Sequence, residues 1–86
     1  MYNVKIAKKA QKEFKKIPKI YKDKISKAIK ELSAIPHPFG VKKMQGTVNR
    51  YRIRVADYRV IYDIDDTDMI ILVIKIGHRQ QVYKVK

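Results

Sequence analysis

Eighty-six residues with 21 Lys and Arg against 8 Asp and Glu carry a formal net charge of +13, enough to attract nucleic acid, an anionic surface or an acidic protein. That length makes a single domain over 1–86 and leaves no room for a second core. Cysteine is absent, which excludes disulfides and thiolate-held zinc. The longest apolar run, "MIILVI" at 69–74, is too short to cross a bilayer, and "MYNVKIAKKAQKEF" lacks the apolar stretch of a signal peptide, so a cytoplasmic chain with no membrane partner is expected.

In chain order, Tyr2, Val4 and Ile6 alternate with polar residues and predict a short strand at 2–6. Ala7, Ala10, Phe14 and Ile17 then recur at helical steps, predicting a helix near 8–17. Pro18 interrupts it and suits the first turn of a second helix, 19–34, whose stripe is Tyr21, Ile25, Ala28, Ile29 and Leu32. "PHP" at 36–38 ends that helix, and the tight joint predicts an αα-hairpin. "FGVKKMQG" (39–46) reads as a connection. Strands follow at about 50–55, 58–64 and 69–76, with a turn at Asp57 and a hairpin loop "DDTD" at 65–68.

The order β-α-α-β-β-β predicts an α+β fold, with a helical hairpin on one face of a four-stranded, mainly antiparallel sheet. Because "MIILVIKI" is apolar at both parities up to Ile74, it reads as a central strand buried on both faces. In "RYRIRV", Tyr51, Ile53 and Val55 would face the helices and Arg50, Arg52 and Arg54 the open side. The parity of "YRVIYD" is ambiguous, since Arg59 shares its face with Ile61. All five arginines fall at or after residue 50, whereas eleven of the first 30 residues are lysine. Lysine is a hydrated point charge and arginine a flat fork suited to phosphate, so the arginines read as placed and the helical lysines as a solvated, steering face.

With these residues in view, "YRIRVADYRVIYDID" (51–65), the "KKMQG" before it and the closing "GHRQQVY" (77–83) resemble the RelE/ParE toxin superfamily, and within it the RelE-like ribosome-dependent mRNA endonucleases. The resemblance spans essentially the whole chain. It implies a toxin that enters the ribosomal A site and cuts mRNA there through attack of the RNA's own 2′-hydroxyl on the adjacent phosphate. It further implies neutralisation by a small acidic RelB-like antitoxin, and contact with operator DNA only through the antitoxin complex. The matching functional positions are Arg52, Arg54, Arg59, Arg79 and Tyr83, with Arg50 and His78 as further nucleic-acid-binding candidates. Relatives in that branch carry lysines in the "YRIR" segment, and arginine is a poor base at neutral pH. The proton carrier is thereby left between Tyr83 and His78.

Such cleavage needs no protein nucleophile, cofactor or metal, and the two histidines and loop aspartates have no metal-ligand spacing. Arg59 could instead pair with Asp57 or Asp63, Tyr83 could cover the small core, and His37 reads as a surface histidine. Tyr51, Tyr58 and Tyr62 read as packing residues. Two other functions fit the charge. One is a ParE-like toxin that poisons DNA gyrase, against which the "GHRQQVY" ending speaks; the other is a non-catalytic nucleic-acid-binding module.

Overall fold

The computed structural model describes residues 1–78. Its elements are β1 (Asn3–Ile6), α1 (Lys8–Lys15), α2 (Lys19–Leu32), β2 (Lys42–Lys43), β3 (Arg50–Val55), β4 (Tyr58–Asp65) and β5 (Ile70–His78). The α+β class and the helices packed on one sheet face agree with expectation, but the sheet has five strands, ordered β1-β5-β4-β3-β2. β1 runs parallel to β5 and the remaining pairs are antiparallel. The fifth strand, β2, lies inside the segment read as a connection. It is two exposed lysines long, so no alternation betrays it, and its pairing with Tyr51 and Arg52 comes from the turn that follows.

Both helices end earlier than their apolar stripes suggest. α1 stops at Lys15 because Ile17 precedes Pro18, whose ring disfavours helical geometry in its neighbour. Pro18 itself is the N-cap of α2, one position ahead of the first turn. After Leu32, Ser33 is taken up by β1: its hydroxyl donates to the Tyr2 carbonyl at 2.8 Å, and the Tyr2 N–H donates to the Ser33 carbonyl at 2.9 Å.

The core lies between the helices and one sheet face. Ala10, Ile17, Ile25, Ile29 and Leu32 meet Ile53, Val60, Tyr62, Ile64, Ile71, Val73 and Ile76. Each aliphatic side chain removed from water here contributes on the order of 1.5–3 kcal/mol. β5 is interior, flanked by β1 and β4, yet it is not buried on both faces: Leu72 is exposed on the open side. The two-parity apolar pattern has a different cause. Ile61 pairs with Lys75 but Tyr62 pairs with Val73, so Ile74 is an extra residue in a β-bulge. The bulge flips the parity, and Ile71, Val73 and Ile76 all reach the same helical core. Beyond the end of β1 the edge of β5 is covered by α1, where Glu13 accepts the Ile76 N–H at 3.1 Å and holds the Lys75 ammonium.

A candidate phosphate-binding site on the open sheet face

A two-residue turn sets the site. Val55 pairs with Tyr58, so Ala56 and Asp57 alone join β3 to β4, and Ala56 takes a φ of 55°. Positive φ at the first turn position matches the twist of paired strands. The Arg54 Nε donates to the Ala56 carbonyl at 3.0 Å and clasps the turn. The register that follows resolves the ambiguous parity. Tyr58, Val60, Tyr62 and Ile64 face the helices, while Arg50, Arg52 and Arg54 stand opposite Asp63, Ile61 and Arg59 on the open face.

Arg50 is held by an acid. Its Nε and Nη2 donate to the two Asp63 carboxylate oxygens at 2.8 and 3.1 Å, and this bidentate bond raises the Arg50 pKa above its ordinary value. Asp63, one of two partners considered for Arg59, is thereby engaged elsewhere. Arg59 instead faces Arg54 directly across the hairpin, an arrangement that costs stability because like charges oppose. Its Nη1 is fully buried and has no hydrogen-bond partner among the described residues. An orphaned donor of this kind costs about 1–3 kcal/mol in desolvation.

Arg52, Arg54 and Arg59 line one cavity of about 220 Å³, together with Gly40 and Lys42. No acidic side chain lines it among the described residues. Lys42 was not picked out by sequence reasoning. It pairs with Arg52 from β2, and only the unrecognised fifth strand reveals it as a neighbour. The lysine pair in "VKK", followed by the Gly46 turn with φ of 76°, was the available signal.

His78 stands apart from this group. It pairs with Tyr58 in the ladder and meets the Tyr58 ring edge-on at 5.9 Å, which places it on the helix side. Residue 77, a glycine, occupies the position opposite Arg59 instead. Arg79 and Tyr83 lie outside the described residues. Among the described residues no cluster of three or more potential metal ligands forms, and no helix is long and apolar enough to cross a membrane.

The sequence model of the family described as "ParE toxin of type II toxin-antitoxin system, parDE" matches residues 4–83. The chain belongs to the RelE/ParE toxin superfamily. A relative from Methanocaldococcus jannaschii named as the toxin RelE1 is 34% identical, over 96% of each chain. The RelE of the archaeal RelE–RelB complex from Pyrococcus horikoshii is 35% identical with a TM-score of 0.81, covering 91% of this chain and 94% of the other. The isolated RelE toxin of Escherichia coli also reaches 0.81, at 25% identity over 98% and 93% of the two chains. A RelE-type toxin of a toxin–antitoxin system is therefore the class to which the cationic cavity belongs.

Proposed function

We propose that this toxin cleaves mRNA in the ribosomal A site, and that the cavity between β2, β3 and β4 receives the scissile phosphate. The observation that carries the reading is the Arg54–Arg59 pair. Two like charges face one another beside a buried, unpartnered guanidinium nitrogen, in a cavity lined by four cations. A fold tolerates that cost where an anion arrives to offset it. A phosphorane, more negative than the ground-state diester, would gain most.

In this reaction the 2′-oxygen attacks the adjacent phosphorus as the bond to the 5′-oxygen breaks, leaving a cyclic phosphate and a free 5′-hydroxyl. Arg52, Arg54 and Arg59 bind the non-bridging oxygens, and Lys42 adds a fourth cation. Arg79 and Tyr83 complete the set by their match to the family's functional positions. With His78 on the helix side, Tyr83 is the proton carrier that the sequence reading leaves. A small acidic RelB-like antitoxin would neutralise the toxin by covering its cationic surface, consistent with the RelE–RelB complex among its structural relatives.

Mapping cuts in mRNA on programmed, stalled ribosomes tests the reading. Cuts confined to the A site that vanish with the antitoxin support it. The family description, which bears the ParE name, gives the gyrase reading its standing. Intact mRNA together with trapped gyrase–DNA complexes would establish that alternative. RNA binding with neither activity would leave a binding module.

A further inference from the structure

Beside the phosphate cavity lies a second depression of about 370 Å³, and the two share Gly40 and Arg54. Its wall includes Phe39, whose ring is fully exposed. Every other phenylalanine and tyrosine among the described residues is buried or partly buried. The exposure is built in, because Phe39 sits in a closed turn. The Val41 N–H donates to the Pro38 carbonyl at 3.1 Å, and Gly40 takes the positive φ of 85° that the third position of such a turn demands. The loop is anchored just upstream, where the buried Tyr62 hydroxyl donates to the Pro36 carbonyl at 2.8 Å. An apolar ring is thus fixed in solvent, one residue from the phosphate cavity.

The charges around it point to the occupant. Lys24, Lys27 and Arg54 line the depression against a single acid, Glu31. A cationic track with an aromatic face beside it is what a single-stranded nucleic acid needs, since the backbone follows the charges and a base lies on the ring. We propose that Phe39 is a stacking platform for a nucleobase next to the scissile phosphate, with Lys24 and Lys27 holding the adjoining backbone. This rests on the RNA reading of the cavity and adds to it a positioning residue on a different segment of the chain. An acidic protein partner anchored on Phe39 is the competing occupant.

The chain contains no tryptophan, so Phe39→Trp makes a single fluorescent reporter at an exposed position. A short labelled oligoadenylate, titrated into the full chain at low salt, should quench that emission as its anisotropy rises. Phe39→Ala and Phe39→Leu should each bind the oligonucleotide about 5- to 100-fold more weakly, with Phe39→Tyr near wild type. All should melt at the wild-type temperature. Oligonucleotide bound without quenching, and equally well by Phe39→Ala, would overturn the stacking role while leaving the RNA reading intact. Equal quenching by polyglutamate, which has charge but no bases, would assign Phe39 to an acidic protein instead. Binding unaffected by Arg52→Ala combined with Arg59→Ala would remove the RNA reading of the cavity, and this proposal with it.

Discussion

Arg50 and Arg59 lie on one face of one hairpin yet make opposite contributions. Arg50 has its carboxylate, so Arg50→Ala should cost about 0.5–1 kcal/mol of stability and leave cleavage within a few-fold of wild type. Arg59→Met keeps the apolar stem but removes the orphaned donor and the like-charge contact. It should raise stability by on the order of 1 kcal/mol while cleavage falls by about 100-fold or more. Urea denaturation and single-turnover cleavage on programmed ribosomes check both. A variant that gains stability as it loses activity marks a residue held in place for its ligand. Sequence alone brought both arginines to notice but not the distinction, because which of them meets Asp63 depends on a register set by a two-residue turn.

Tyr62 ties β4 to the loop that carries Phe39. Tyr62→Phe leaves the Pro36 carbonyl without its donor and should cost about 1 kcal/mol in a urea titration. The same residue gives the fold an alkaline limit. Burial, with a smaller effect from Tyr51, raises the Tyr62 pKa above its ordinary 10.0. The folded state therefore holds this proton more tightly than the unfolded chain does. Its contribution is complete below pH 10 and is lost as pH rises beyond it. The urea midpoint should decline above pH 10, and less steeply in Tyr62→Phe. Strong patterns such as the α2 stripe and the alternation in β3 were legible in sequence. The bulge at Ile74 was not, because one inserted residue imitates a strand buried on both sides. β2 was hidden for the opposite reason, being too short to show any period.

The +13 charge acts in two ways that salt can separate. Diffuse attraction by the helical lysines weakens generally as ions screen it, whereas each phosphate held in the cavity releases its own counterions. Lys42→Ala should lower the slope of log affinity against log salt for single-stranded RNA by about 0.7, the value for one lost phosphate contact. Lys9→Ala, on exposed α1, should change it much less. Fluorescence titrations at four or five salt concentrations would measure the difference.

The parallel pairing of residues 3–6 with residues 70–73 also bears on how the molecule is made. On a ribosome the strand synthesised first must wait for one synthesised more than sixty residues later, and that late strand enters the sheet between its first and fourth members. Contacts so distant in sequence fold slowly, since the closing segment must be present before they are rewarded. A nascent chain halted before residue 70 lacks the middle of its sheet, not its margin. Neither β1 nor the core face of β4 then has its neighbour. The hairpin bearing the arginines would have been translated without a folded base to hold it, so an interrupted message yields a harmless fragment.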